Sequence, residues 1–136
     1  PYWTLLGYFN SLRLLGGARM QVSDDIPSYM QLIASRSGRK ERRIDEPIEL
    51  TSREESSNIP AHLKAMERTL QDGSPLDVVL ATNMISVGVD VSRLGLMVVA
   101  GQPKATAEYI QATSRVGRRR QQRIALGLAE RQLGVE

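Results

Sequence analysis

Nearly continuous apolar runs alternate along the chain with stretches of helical periodicity. Residues 4–9, 76–81 and 96–100 form such runs, and residues 47–50 form a shorter one. Strands that are covered on both faces carry runs of this kind, because neither face meets water. The pattern predicts a single α/β domain of three layers, with a mainly parallel sheet flanked by helices.

The clearest helical pattern covers residues 59–71, where one apolar stripe recurs at steps of four, three and four. The stripe consists of Ile59, Leu63, Met66 and Leu70. Asn58 is placed to cap the start of this helix and Gly73 to end it. A second helix is expected over residues 105–116, with Thr106 as its cap.

Three other segments carry weaker signals. Asn10 or Ser11 is placed to cap a helix after the first strand, and Gly16-Gly17 is expected to end that helix early. Residues 35–46 have almost no apolar content and indicate an exposed loop. Residues 119–136 are typical of a helix, unless residues 123–128 supply a last strand.

Composition narrows the class of protein. The chain has 136 residues, 41% of them hydrophobic and 24% charged, which suits one globular domain. The absence of cysteine excludes disulfides and thiolate metal sites, and we expect no metal ligands in this chain. No apolar run reaches membrane-spanning length, so a cytoplasmic domain without a membrane partner is expected. The start at Pro1 suggests that residues 1–136 are one domain cut from a longer protein.

Positive charge is gathered in two clusters, although the net charge is only +3. The first consists of Arg36, Arg39, Lys40, Arg42 and Arg43, and the second of Arg115, Arg118, Arg119, Arg120 and Arg123. Such clusters attract phosphate-rich partners. A solvated loop and a solvated helix face are the simpler explanations, and on charge alone the simpler explanation is equally good for the first cluster.

Two segments of unusual composition are expected at the carboxyl edge of the sheet, where doubly wound folds bind ligands. Residues 81–91 follow a buried strand and carry Thr82, Gly88 and Asp90. Residues 111–118 follow the last core helix and read Gln-Ala-Thr-Ser-Arg-Val-Gly-Arg.

In order and spacing these segments resemble motifs V and VI of superfamily 2 helicases. Asn10-Ser11 after the first strand is similar to motif IV, and residues 49–53 are similar to the strand-end contact between motifs IV and V. The resemblance covers roughly residues 3–118 and implies the second, C-terminal RecA-like lobe of a helicase or translocase.

The resemblance implies that ATP lies between this lobe and a first RecA-like lobe of the same parent chain. The chain has no Gly-rich phosphate loop and no Asp-Glu box, so the first lobe would hold most of the ATP and Mg²⁺. Arg115 and Arg118 match the arginine fingers that stabilise charge on the γ-phosphoryl group. Asp90 matches the ribose contact, and Gly88 and Gln111 match other nucleotide contacts.

The resemblance also implies contacts with a DNA or RNA backbone. The matching positions are Asn10, Ser11, Thr51, Ser52, Arg53, Thr82 and Asn83. Simpler explanations remain open for several residues. Arg115 and Arg118 could be solvated arginines at a helix end, and Gly88 and Asp90 could form a turn. Thr82-Asn83 could form a local side-chain-to-backbone turn, and residues 51–53 could be a loop after a strand.

The chain departs from one branch of the family. DEAD-box members carry Arg immediately before the motif V glycine, where this chain has Val87, and Gln111 also points away from that branch. The opening residues 2–13, together with residues 24–27 (Asp-Asp-Ile-Pro), resemble the large helicase-like proteins of DISARM-type phage-defence systems.

The sequence leaves three alternative functions open. The first is a motor lobe that supplies arginine fingers and backbone contacts. The second is a non-enzymatic module that binds nucleic acid or a partner, and the third is an unrelated α/β regulator. A pair of finger arginines favours the motor, because a binding module has no need of them.

Overall fold

The sheet is parallel and has five strands. The computed structural model describes residues 2–83, 90–101, 103, 105–117 and 124–128, the last range by its backbone. The strands are β1 (Leu5–Phe9), β2 (Ile48–Leu50), β3 (Val78–Ala81), β4 (Leu96–Ala100) and β5 (Ile124–Leu128). Their order is β2-β3-β1-β4-β5, and all four neighbouring pairs are parallel. The four apolar runs of the sequence are therefore strands, as predicted.

Helices cover both faces of this sheet. The described helices are α1 (Leu12–Met20), α2 (Ile26–Ser37), α3 (Ile59–Glu67) and α4 (Thr106–Thr113). Strand residues alternate between two cores: Leu6, Tyr8 and Val79 pack with α3 and α4, whereas Phe9 and Leu80 pack with α1. The three-layer α/β architecture expected from the sequence is confirmed.

The helix after β1 is longer than expected. Gly16-Gly17 does not end it: α1 continues into a π-helical stretch, Gln21–Asp25, and then into α2. Pro27 explains the π-helical stretch, since a proline inside a helix lacks a donor and crowds the carbonyl four residues earlier. At the junction the Ile26 N–H bonds the carbonyl of Gln21, five residues back. Helix α2 ends at Ser37, followed by left-handed Gly38 at φ 63°.

The expected loop exists, but it starts later and is held to the sheet. Residues 39–47 have no regular structure and are mostly exposed. Arg42 pairs with Asp77 at 2.5 Å, and its guanidinium lies 3.8 Å from the centre of the Trp3 ring. The backbone N–H of Asp45 donates to the same carboxylate at 3.1 Å. One arginine of the first basic cluster is thus engaged in holding the loop beside β3.

Helix α3 is shorter than the stripe of apolar residues predicted. It ends at Glu67, and Leu70 lies beyond it, 57% exposed. The carbonyl of Met66 accepts a hydrogen bond of 2.6 Å from Nε of Arg93. The Thr69 hydroxyl donates to the Asp72 carboxylate at 2.7 Å. The Met66 carbonyl and the Thr69 hydroxyl thus have hydrogen-bond partners outside the helix, and the helix does not continue past Glu67.

The end of the described chain corrects two expectations. Helix α4 starts after Ala105, so Thr106 is its first residue rather than its cap, and it ends at Thr113. It therefore does not persist to Arg115. Residues 124–128 form strand β5 beside β4, so the strand alternative was right for this stretch and the helix was wrong. None of the helices within the described ranges is long and apolar enough to cross a membrane.

Candidate functional site

A polar cavity of about 350 Å³ opens at the carboxyl edge of the sheet. It lies where β1, β2 and β3 end, because Tyr8 pairs with Ala81 and Ala81 pairs with Leu50 in the strand register. Among the described residues, its lining includes Tyr8, Asn10, Ser11, Leu12, Ser52, Thr82, Asn83, Pro103 and Glu108. The cavity thus brings together five of the seven residues that the sequence assigned to nucleic acid.

Asn10 and Ser11 are fixed at this cavity by local structure. The Ser11 hydroxyl accepts the Leu14 N–H at 3.3 Å and caps α1, which confirms Ser11 rather than Asn10 as the cap. Asn10 packs against Gly101, whose φ is 83°. A Cβ at position 101 would lie 2.5 Å from Nδ2 of Asn10. Only glycine leaves room there for the amide side chain.

A buried phenol and a carboxylate form one wall of the cavity. The Tyr8 hydroxyl donates to Oε1 of Glu108 at 2.7 Å, which joins the end of β1 to the first turn of α4. Burial, and then this hydrogen bond, raise the pKa of the Tyr8 phenol above its ordinary value. Tyr8 therefore remains a proton donor to Glu108 at physiological pH.

Residues 51–53 divide between the cavity and a local turn. Thr51 is buried, and its hydroxyl accepts the backbone N–H of Arg53 at 3.2 Å. Ser52 lines the cavity, and Arg53 is exposed. Among these three residues the structure places only Ser52 at the cavity wall.

A second, smaller cavity of about 270 Å³ lies at the opposite, amino end of the sheet. Asp90 lines it together with Glu67, Thr69 and Arg93. Nη2 of Arg93 donates to the Thr4 hydroxyl at 2.8 Å, and this hydroxyl donates to the Leu76 carbonyl. Since residue 4 precedes β1 and residue 76 precedes β3, this network marks the amino end.

Arg115 also lies toward the amino end, in the turn after α4. The Gly117 N–H donates to the Leu94 carbonyl at 2.7 Å, just before β4 begins. The expectation that this segment lies at the carboxyl edge was therefore wrong for its described part, residues 111–117, and it was wrong for Asp90 as well. A helix after a parallel strand runs back toward the amino end, so the turn at its end reaches that side of the sheet. Gln111 is exposed on α4.

Two predicted residues, Gly88 and Arg118, lie outside the described residues. Within the described ranges, no group of three or more His, Asp or Glu side chains could hold a metal ion. The candidate residues that are described separate into a nucleic-acid group at the carboxyl edge and a nucleotide group toward the amino end. Only Gln111, on the intervening helix, belongs to neither end.

A family model, described as the helicase conserved C-terminal domain, matches residues 32–120. The chain belongs to this family. The matched range contains both polar segments that resemble motifs V and VI, and it ends within the second basic cluster.

Two relatives support the assignment to the helicase C-terminal domain. DISARM protein DrmA of Bacillus paralicheniformis is 56% identical over 119 residues, which are 87% of this chain and 10% of that protein. The uncharacterized ATP-dependent helicase YprA of Bacillus subtilis is 38% identical over 61 residues, which are 45% of this chain and 8% of that protein. The chain thus spans about a tenth of the length of these relatives.

A solved structure shares the fold of this helicase C-terminal domain. It is the Mycobacterium smegmatis helicase Lhr bound to ssDNA and AMP-PNP, with a TM-score of 0.58 and 16% sequence identity. The match covers 93% of this chain and 14% of the Lhr chain. The RecA-like fold implied by the motifs is thereby confirmed.

Sequence reasoning missed four residues of these two sites: Tyr8, Arg93, Gly101 and Glu108. Tyr8 and Glu108 are 100 positions apart, and Arg93 bonds a hydroxyl 89 positions away. No local pattern predicts such pairs. Gly101 had a usable signal, because a glycine directly after a buried parallel strand often marks a close approach of backbone and side chain.

Proposed function

We propose that this helicase C-terminal domain is the second motor lobe of a nucleic-acid-dependent ATPase that translocates along or separates strands. The observation that carries the proposal is the separation of the candidate residues between the two ends of one sheet. A motor lobe must hold nucleic acid and nucleotide at different places and connect them through a rigid body. A domain that only bound nucleic acid would need the carboxyl-edge cavity alone.

On the nucleotide side we assign the arginine-finger role to Arg115 and Arg118 and the ribose contact to Asp90. Gly88 and Gln111 complete the proposed nucleotide contacts. Most of the ATP and its Mg²⁺ would be held by a first RecA-like lobe, because this chain has no Gly-rich phosphate loop. When bound there, the ion would neutralise charge on the phosphates.

The anchoring of the turn at Arg115 supports the finger role. A finger acts through a pre-organised charge that costs little to orient at the moment of reaction. The Gly117–Leu94 hydrogen bond fixes the turn, and Val116, next to Arg115, is fully buried in the main core. A merely solvated arginine at a helix end would not require a turn held at both backbone and side chain.

On the nucleic-acid side we propose that Asn10, Ser11, Ser52, Thr82 and Asn83 contact the strand. Neutral hydroxyls and amides are common partners of phosphate oxygens, and they fix the register of a strand without adding charge. Exposed Arg53 would contribute a cationic backbone contact, while Thr51 would act by shaping the turn that presents Ser52 and Arg53.

The likeness to DISARM protein DrmA leads us to propose a biological setting in phage defence. That relative is 56% identical over 87% of this chain. Residues 2–13 and 24–27 independently resemble DISARM helicase-like proteins. The nucleic acid would then be foreign DNA, contacted through its backbone.

Conservative substitution of the two arginines in the full-length protein tests the motor function. Arg115→Lys and Arg118→Lys keep the charge but lose the planar fork that suits a phosphoryl group. We expect nucleic-acid-stimulated kcat to fall by about a hundredfold or more, with KM for ATP and thermal unfolding little changed. Arg39→Lys, in the exposed loop, is the matched control. If both finger variants keep near-normal kcat, the lobe is a binding module and the proposal fails.

A further inference from the structure

The cavity at the carboxyl edge contains a group that a phosphate site would not be expected to have. Among the described residues, most of the polar lining is neutral, from the hydroxyls of Ser11, Ser52 and Thr82 and the amides of Asn10 and Asn83. Glu108 adds a carboxylate to the same wall. A carboxylate repels phosphate oxygens and attracts N–H donors, so this wall is suited to a part of the nucleic acid that carries no negative charge.

The carboxylate of Glu108 is held in place while part of its acceptor capacity stays open. Tyr8 is fully buried at the end of β1, so its hydroxyl is a fixed donor to Oε1 at 2.7 Å. A carboxylate offers about four acceptor positions. In the described part of the chain, no second hydrogen bond to this carboxylate is formed. Glu108 is therefore both oriented by the protein and able to accept a further N–H at the cavity.

The cavity is large enough for one nucleobase. Its volume of about 350 Å³ lies at the lower end of the range of small-molecule sites, roughly 300–1,000 Å³. Asn10 and Asn83 place amide groups, which carry both donors and acceptors, in the lining of this cavity. The Asn10 amide lies against Gly101, where any Cβ would collide with it.

We propose that this cavity takes one unstacked nucleobase of the bound strand, with the exocyclic amino group of the base donating to Glu108. Cytosine N4 and adenine N6 are such donors, whereas thymine presents a carbonyl oxygen at the corresponding position. The phosphates stay at the rim, beside Ser11 and Thr82. The inference rests on the proposed function, which brings the strand to this edge, and it adds a base preference to the backbone contacts.

Binding of homopolymers to the full-length protein tests the inference. Fluorescence anisotropy with dC, dA and dT 15-mers at one salt concentration measures the ratio of affinities. We expect dC and dA to bind at least about fivefold more tightly than dT. Glu108→Ala should remove this ratio. Glu41→Ala, which removes an exposed carboxylate from the loop of residues 39–47, should leave it unchanged.

Two further variants separate loss of recognition from loss of fold. Tyr8→Phe releases the carboxylate but keeps the ring in the core, so the ratio should fall while thermal unfolding changes little. The double variant Tyr8→Phe/Glu108→Ala leaves no buried hydroxyl without its partner and should also bind all three homopolymers alike.

The outcomes of these experiments distinguish base recognition at the cavity from the proposed function as a motor lobe. Equal affinity of the wild-type protein for the three homopolymers, or a ratio that survives Glu108→Ala, would overturn base recognition and leave the backbone contacts standing. A uniform tightening in Glu108→Ala would also overturn it, since the carboxylate would then merely oppose phosphates. Failure of all three homopolymers to bind would remove the proposed function itself.

Discussion

Arg93 donates a hydrogen bond of 2.8 Å from Nη2 to the hydroxyl of Thr4. Its Nε donates to the Met66 carbonyl at 2.6 Å, so one side chain connects the start of β1 with the end of α3. Burial lowers the pKa of the Arg93 guanidinium, and the Asp72 carboxylate opposes that change. We expect Arg93→Ala to lower the free energy of unfolding by about 1.5–3 kcal/mol, measured by urea denaturation, because it removes two charge-assisted hydrogen bonds.

A control and a second variant sharpen this prediction. Arg39→Ala, in the exposed loop, should change the free energy of unfolding by less than about 0.5 kcal/mol. Combining Arg93→Ala with Thr4→Val should give a coupling energy of about 0.5–3 kcal/mol, because the two side chains share a hydrogen bond. Additive effects would show that the Arg93–Thr4 contact contributes nothing to stability.

The sequence predicted helix α3 but not the residue at which it ends, which lies beside the Arg93–Met66 hydrogen bond. The stripe Ile59, Leu63 and Met66 correctly predicted a helix, because each of these residues faces the core or its margin. Leu70 continued the stripe but lies outside α3. The helix stops where Arg93, 27 positions away, takes the Met66 carbonyl. Periodicity records which residues are apolar, and it carries no information about a distant donor.

At the candidate site, too, the sequence identified some residues and missed or misplaced others. Asn10, Ser52 and Thr82 follow three different strands, and because parallel strands end at one edge the three residues line one cavity. The resemblance named all three, but only Thr82 was expected at that edge from the sequence. Glu108 reaches that edge through α4 and its bond to Tyr8, which the order of residues does not reveal. Arg115 was predicted at the wrong edge, because α4 runs back across the sheet and the turn at its end lies toward the amino side.

Gly101 gives a prediction on both stability and binding. A Cβ at this position would collide with the Asn10 amide, and φ of 83° is strained for any side chain. We expect Gly101→Ala to lower the free energy of unfolding by at least about 1–2 kcal/mol and to weaken nucleic-acid binding, because Asn10 must leave its place at the cavity.

A glycine in a helix provides the matched control. Gly17 lies inside α1, where an added Cβ would meet nothing within 4 Å, and its φ is not positive. Gly17→Ala should therefore raise the free energy of unfolding by about 0.5–1 kcal/mol and leave binding unchanged. Equal effects of the two substitutions would show that the contact with Asn10 is unimportant.

The hydrogen bonds of the Asp72 carboxylate should make the free energy of unfolding depend on pH. Hydrogen bonds from the Thr69 hydroxyl and backbone N–H, at 2.7 and 2.8 Å, lower the pKa of the Asp72 carboxyl below its ordinary value. A lowered pKa in the folded state means that this carboxylate stabilises the fold above its unfolded pKa of about 3.9. That contribution disappears as the pH falls through the lower, folded pKa.

Asp72→Asn should therefore lower stability at pH 7 and flatten the loss of stability on the acid side, measured by denaturant unfolding at pH 7 and below pH 4. Asp25→Asn, at the exposed start of α2, is the control. An unchanged acid-side slope in Asp72→Asn would contradict the assignment of this effect to Asp72.

The domain by itself is expected to hydrolyse no ATP. It has an arginine turn but no Gly-rich phosphate loop and no Asp-Glu box, so nothing in the chain holds the phosphates for reaction. A coupled assay on the isolated domain should give turnover at the level of buffer alone, with or without nucleic acid. Turnover above that level that disappears in Arg115→Ala would contradict this prediction and would place a complete ATP site in the domain.

Salt dependence separates the charged from the neutral contacts with nucleic acid. Phosphate contacts by cations release counterions, so affinity for a single strand should fall with salt at a slope of about 0.7 per cationic contact. Arg53→Ala should reduce that slope by about 0.7, whereas Thr82→Val should weaken binding about two- to tenfold with the slope unchanged, because threonine carries no charge. Anisotropy titrations between about 50 and 200 mM salt would test both predictions.

Thr82→Ser keeps the hydroxyl and should bind like the wild-type protein. If Thr82→Ser is as weak as Thr82→Val, the methyl group packs the strand end and the hydroxyl does not contact the backbone; if affinity is independent of salt, the strand does not reach this edge through its phosphates.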